Sequence, residues 1–117
     1  MSSAGKGPID RQLVITPALT DETLGVPVDV LGYDHVTFYV TGTGTVSSGI
    51  LTYEEAPSVD WAGTWSSITT TDFASVQVSS GALAAIHLTA ACHGAVRCRI
   101  STVIGGTGTI TVYLSAQ

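Results

Sequence analysis

Val36-Thr37-Phe38-Tyr39-Val40-Thr41 places apolar side chains at every second position and hydroxyl-bearing ones between them. A repeat of two is the mark of a strand with one face in a core and the other toward water. The pattern returns in Val96-Arg97-Cys98-Arg99-Ile100-Ser101, in Ile86-His87-Leu88-Thr89 and in Ile110-Thr111-Val112-Tyr113-Leu114-Ser115. Ile50-Leu51-Thr52-Tyr53 adds a strand that Glu54-Glu55-Ala56-Pro57 is expected to end. Leu13-Val14-Ile15 adds a brief one that is expected to stop at Pro17. Val26-Pro27-Val28-Asp29-Val30 also alternates, but Pro27 lacks a donor, which suits an edge or a strand end. A weaker segment holds Val76 and Val78.

Seven or eight short strands with turn signals between them predict an all-β fold, an antiparallel β-sandwich of jelly-roll or immunoglobulin-like type. The best helix candidate, Ser80-Gly81-Ala82-Leu83-Ala84-Ala85, is too short and too glycine-broken to count. Thr20-Asp21-Glu22-Thr23 fits one helical turn or a plain turn. Residues 1–12 are polar, small and Gly/Pro-containing and read as a flexible arm. Residues 13–117 form the single expected domain. Gly42-Thr43-Gly44-Thr45-Val46 and Gly106-Thr107-Gly108-Thr109-Ile110 echo one another. They read as two similar hairpin turns, since glycine supplies the positive φ that such turns need. Neither is a phosphate loop, because no Lys-Ser/Thr and no helix follows.

The 117 residues are 44% apolar but only 11% charged, against a usual charged fraction of about 25%. Thr, Ser and Gly stand where Lys and Glu usually stand. Such a surface fits a protein packed against neighbours; a plain soluble sandwich with a Thr-rich exposed face fits it as well. The net charge is −5, and the basic residues are Lys6, Arg11, Arg97 and Arg99. Four scattered cations make no basic patch, which argues against nucleic acid and against a membrane surface. No apolar run reaches the roughly 18 residues of a spanning helix. The first residues lack the apolar core of a signal peptide, so synthesis in a cytoplasm is expected.

Cys92 and Cys98 are expected as free thiols in a reducing compartment. On one strand they would lie about 20 Å apart. Across a turn at His93-Gly94, Cys98 would face Thr89. Neither arrangement suits an intrachain bond, while an intermolecular one stays open. Cys92-His93 has no second Cys or His at ligand spacing, so no metal site is expected.

His35, His87 and His93 lie on or beside strands with no nucleophile-elbow pattern near them, and no catalytic residue or cofactor is expected. Glu54, Glu55, Asp60 and Asp72 match no calcium loop and read as solvated loop carboxylates. Tyr53, Trp61 and Trp65 are candidates for an interface or a sugar platform. Trp65 reads as a cap on the core; Trp61 fits core and interface equally. Thr37 and Tyr39, with Thr41, offer a side-by-side contact face. Arg97 and Arg99 either pair with another subunit or point to solvent.

Residues 32–117 resemble the small β-sandwich virion proteins of tailed bacteriophages, above all the head decoration, or cement, proteins. The resemblance rests on Gly32-Tyr33-Asp34-His35-Val36-Thr37-Phe38-Tyr39-Val40, Ile50-Leu51-Thr52-Tyr53-Glu54-Glu55, the acidic loop ending at Trp65, Arg97-Cys98-Arg99-Ile100, and the closing Gly-Thr-Gly-Thr-Ile-Thr-Val-Tyr-Leu. Glu55-Ala56-Pro57-Ser58 departs from the Ser-Asn-Asp-Gly type of turn that such proteins often carry. The resemblance implies a non-enzymatic structural protein on the outer capsid surface. Its implied partners are the major capsid protein and copies of itself, a trimer favoured, with neighbouring capsomers bridged. A neck or tail adaptor and a carbohydrate-binding module of a virion are the alternatives.

Overall fold

The computed structural model describes residues 8–19, 24–74, 83–88 and 94–117. Eight strands lie among them: β1 (Ile9–Leu19), β2 (Val28–Asp29), β3 (Val36–Thr43), β4 (Val46–Ala56), β5 (Ser66–Asp72), β6 (Leu83–Leu88), β7 (Ala95–Gly106) and β8 (Thr109–Ala116). Strands β1-β8-β3-β6 form sheet A and β2-β7-β4-β5 form sheet B, every pairing antiparallel. Apart from β4 to β5, each step along the chain changes sheet. The protein is therefore the expected β-sandwich, and this strand order selects the jelly roll over the immunoglobulin-like alternative.

The order makes β3 and β4 one bent ribbon, paired throughout with β8 and β7. Val36↔Ala116 to Thr43↔Thr109 lie in sheet A, and Val46↔Gly106 to Ala56↔Ala95 in sheet B. The two Gly-Thr turns are the bend. They do not close hairpins, as their sequence suggests, but carry both strands across from one sheet to the other. The Gly108 amide donates to the Thr45 carbonyl at 2.8 Å, and the Thr43 and Thr109 hydroxyls pair at 2.6 Å. Gly44 sits at φ +63°, and a Cβ on Gly108 would land on the Thr43 carbonyl oxygen. The crowding of two crossing backbones thus demands glycine here.

Between the sheets lie the alternating residues read from the sequence. Val36, Phe38, Val40, Ile110, Val112 and Leu114 of sheet A meet Leu51, Tyr53, Val96, Cys98 and Ile100 of sheet B. Phe38 and Tyr53 touch across the gap, ring centroids 5.0 Å apart and tilted 45°. Such a pair stabilises by about 1 kcal/mol beyond its burial.

Three local expectations change. Strand β1 starts at Ile9, so residues 9–12 of the expected arm belong to sheet A. It also runs past Pro17 to Leu19. β1 is an edge strand whose register shifts between Ile15 and Leu19, and a proline is tolerated where a ladder bond is already missing. Strand β4 continues through Glu54 and Glu55 to Ala56. Leu83–Ala85 of the helix candidate begin β6. Residues 1–7, Thr20–Thr23, Val76, Val78, Ser80–Ala82, Cys92 and His93 lie outside the described residues.

Candidate functional site

Each sheet turns one face outward, and the candidate residues divide between them. On sheet B, Glu54 of β4 stands opposite Arg97 of β7. Its side chain is only 7% exposed. Arg97 Nε donates to Oε1 and Arg99 Nε to Oε2, both at 2.9 Å. One anion thus holds two cations that lie two residues apart on the same side of β7. The guanidinium of Arg97 also lies over the Trp65 ring, 4.2 Å from its centroid. Beside this cluster the hydroxyls of Thr52 and Ser101 pair at 2.8 Å, and Ser101 also donates to the Ile50 carbonyl. The arginines, read as pointing to another subunit or to solvent, are therefore paired within the chain. Glu54, read as a solvated loop residue, is their buried partner.

Tyr53 is not a surface residue. It is fully buried, its hydroxyl bonded to that of Thr71 at 2.8 Å. Burial pushes its phenol well above the usual tyrosine range, against the smaller opposing effect of the Thr71 bond. Its cross-strand partner Cys98 is equally buried and free, and burial raises that thiol too. No surface of Cys98 is open to an intermolecular disulfide. Trp65, read as a cap on the core, is buried instead in a small cluster with Ala56 and Ala95 that is separate from the main core, where Arg97 lies over it.

Trp61 is 44% exposed. Its loop is bonded to itself: Trp61 Nε1 donates to the Thr64 carbonyl and Trp65 Nε1 to the Trp61 carbonyl, both at 3.2 Å. The Ser58 hydroxyl donates to Asp60 at 2.6 Å, which holds that exposed carboxyl below its ordinary range. Tyr53, Trp61 and Trp65 therefore form no common platform.

The outer face of sheet A is different. Its residues fall in rows across the strands. One row runs His87–Thr37–Ser115, the next Ala85–Tyr39–Tyr113–Leu13, and a third Leu83–Thr41–Thr111. Thr37 Oγ1 and His87 Nδ1 are 3.1 Å apart. Tyr39 and Tyr113 are half-buried and stand side by side, and Arg11 of β1 lies over the Tyr113 ring at 5.4 Å. An open hollow of about 810 Å³ lies over these strands, bounded by Ile9 and Arg11 at one side and Leu83 at the other. Among the described residues lining it, Arg11 carries the one charged side chain. Thr37 and Tyr39 were visible as outward residues of one strand. Arg11, His87 and Tyr113 come from three other strands. Alternation with apolar neighbours marks His87, between Ile86 and Leu88, and Tyr113, between Val112 and Leu114, whereas nothing in the sequence around Arg11 marks it.

Among the described residues, no three His, Cys, Asp or Glu side chains gather as metal ligands, and no helix is long and apolar enough to cross a membrane. No protein-family model and no curated protein sequence matches the chain. Solved structures share its fold. It is similar to the SPBc2 prophage-derived protein YomS, with 14% identity, 95% of each chain covered and a TM-score of 0.57. It is similar to the K2 cleaved adhesin domain of Lys-gingipain, at 11% identity over 86% of this chain and 65% of that one, with a TM-score of 0.59. A chain of an expanded equine rhinitis A virus particle, a picornavirus capsid, matches 99% of this chain with 70% of its own. Its identity is 12% and its TM-score 0.53. A fold shared at such identities does not carry a function with it. These likenesses and the strand order agree on one conclusion: the chain is a β-sandwich of jelly-roll topology, with eight strands among the described residues.

Proposed function

We propose that this chain is a structural protein of a bacteriophage particle, bound as a homotrimer to the outer capsid surface and bridging neighbouring capsomers. The observation that carries the reading is an aliphatic ridge along the β2 edge. Leu24, Val26 and Leu31 are 64%, 50% and 62% exposed. The ridge is held rigidly. The Gly25 amide donates to the Cys98 carbonyl of sheet B, and the Val26 amide to the Val14 carbonyl of sheet A. A side chain at Gly25 would strike the Cys98 carbonyl oxygen, so the backbone lies tight against the sandwich and its neighbours' side chains point away. The ridge runs beside β7 from Arg99 to Gly94, roughly 17 Å at about 3.3 Å per residue.

Apolar ridges on a protein with so few charges favour permanent contacts over a free existence. The net charge of −5 suits a position away from packaged DNA. A prophage-derived protein and a picornavirus capsid share the fold, and both observations support the reading. The test is to purify particles and count copies. Shell decoration gives copies in the hundreds, whereas a neck or tail ring gives about six to twelve. Replacing Leu24 and Leu31 together by Ser is expected to lower occupancy more than about tenfold, with the fold intact. Full occupancy by that variant would sink the ridge as the contact. Ring-like copy number would shift the protein to the neck or tail.

A further inference from the structure

The hollow on sheet A stands apart from the ridge that the particle reading uses. We infer that it is a binding site for an acidic oligosaccharide, a sugar chain bearing carboxylates. Three observations lead there. The first is shape. The hollow is open and spans all four strands of the sheet, which suits an extended ligand lying along a surface better than a compact one needing enclosure. The second is the floor. Tyr39 and Tyr113 are direct cross-strand neighbours, and two adjacent phenol rings offer an apolar surface with a polar tip, matched to a sugar's C–H face and hydroxyl rim. Thr37, Thr41 and Ser115 line the hollow beside them with hydroxyls that both donate and accept hydrogen bonds.

The third is charge. The chain carries a net charge of −5, yet the one charged side chain among the described residues lining the hollow is the cation Arg11. Its guanidinium lies over Tyr113. A guanidinium over a ring face is attracted through its charge and uses none of its N–H groups as conventional hydrogen-bond donors to an oxygen, so they can serve a planar acceptor. A carboxylate fits that fork with two parallel bonds. The contrast with sheet B sharpens the point. There Glu54 occupies both arginines, and no acidic side chain lines this hollow among the described residues.

The test is a solution NMR titration of the full chain with hexagalacturonate and, in parallel, with its methyl-esterified, uncharged counterpart. Shifts are expected at the amides of Thr37, Tyr39, Thr41 and Tyr113 with the acid. Losing the charge from the ligand, or replacing Arg11 by Gln, is expected to weaken binding about tenfold, the usual effect of one charge-assisted contact. Tyr113→Ala is expected to remove binding of both ligands. Arg11→Gln touches no core residue, so its result stands even where Tyr113→Ala perturbs the fold. Equal binding of acid and ester overturns the carboxylate assignment. Absence of any shift on sheet A overturns the site, as does a dimer that buries this face. Copy number on the particle is measured separately, so the failure of either proposal leaves the other in place.

Discussion

The two outer faces of the sandwich handle their charges in opposite ways. Sheet B buries a carboxylate beneath two arginines and stacks one of them on Trp65, so each charge is answered within the chain. Sheet A keeps one arginine over the Tyr113 ring, beside an aromatic, hydroxylated hollow that no acidic side chain lines among the described residues. A face whose charges are mutually satisfied contributes to folding. A face with a lone, stacked cation leaves its binding capacity for something else. Residue types alone do not separate the two, since both carry Arg beside an aromatic ring. The separation lies in whether the register brings a carboxylate within reach.

The largest expected effect breaks the sheet B side. Glu54→Gln keeps the side-chain volume but leaves two guanidinium groups facing an uncharged amide. Removing one partner of a buried ion pair typically destabilises by about 3–5 kcal/mol. Arg99 remains 37% exposed and regains water, so about 3 kcal/mol is expected from urea unfolding at neutral pH. High salt should recover little of it, because a buried pair is screened weakly. A loss below about 0.5 kcal/mol, the range of an ordinary surface substitution, would mean that sheet B is no more clamped than sheet A.

Why this clamp was illegible in the sequence is a matter of distance. Glu54 lies 43 and 45 residues from its partners, and Glu54-Glu55-Ala56-Pro57 looks like a strand ending. Only the pairing of β4 with β7 brings that carboxylate beneath the two arginines. The strands themselves were legible wherever one face is buried, as in Val36–Val40 and Ile110–Leu114, because burial imposes a repeat of two. Pro17 misled because a breaker in a central strand is harmless at an edge. The Gly-Thr turns misled because a hairpin and a sheet switch need the same glycines; which one forms is decided by the partner ribbon. The site followed the same rule. Thr37 and Tyr39 share one strand and were found, whereas Arg11, His87 and Tyr113 join them only through tertiary pairing.

An intermediate effect concerns the inner sides of the two sheets. Tyr53 and Cys98 are paired on the inner side of sheet B, whereas the inner residues of β3 and β8 hold nothing that titrates. Both groups hold their protons more tightly folded than unfolded, because burial penalises the thiolate and the phenolate. The stability this gives is complete below the unfolded values, about 8.5 for the thiol and about 10 for the phenol. It is lost as the pH rises through them toward the raised folded values. Stability should therefore hold through neutral pH and fall progressively above about pH 9. Cys98→Ala should remove the first part of that fall and leave the part that begins near pH 10. An alkaline limb unchanged by Cys98→Ala and by Tyr53→Phe together would place the sensitivity elsewhere.

The smallest expected effect is on sheet A and tests the other half of the contrast. Arg11 is exposed, and its interaction with Tyr113 is a cation over a ring at 5.4 Å. At an exposed site such a contact is worth about 0.5–1 kcal/mol, and regained hydration offsets part of it. Arg11→Ala should therefore change the free energy of unfolding by no more than about 0.5 kcal/mol in the same urea experiment. The value of so small a number is what it separates. On sheet B the arginines act through the fold, so a change there cannot remove a contact without loosening the sandwich. On sheet A a change at Arg11 removes a binding group from an otherwise unaltered molecule. A loss above about 2 kcal/mol would make Arg11 a clamp like Arg97. The two faces would then differ in degree alone, and the hollow would lose its claim to be the face kept for a ligand.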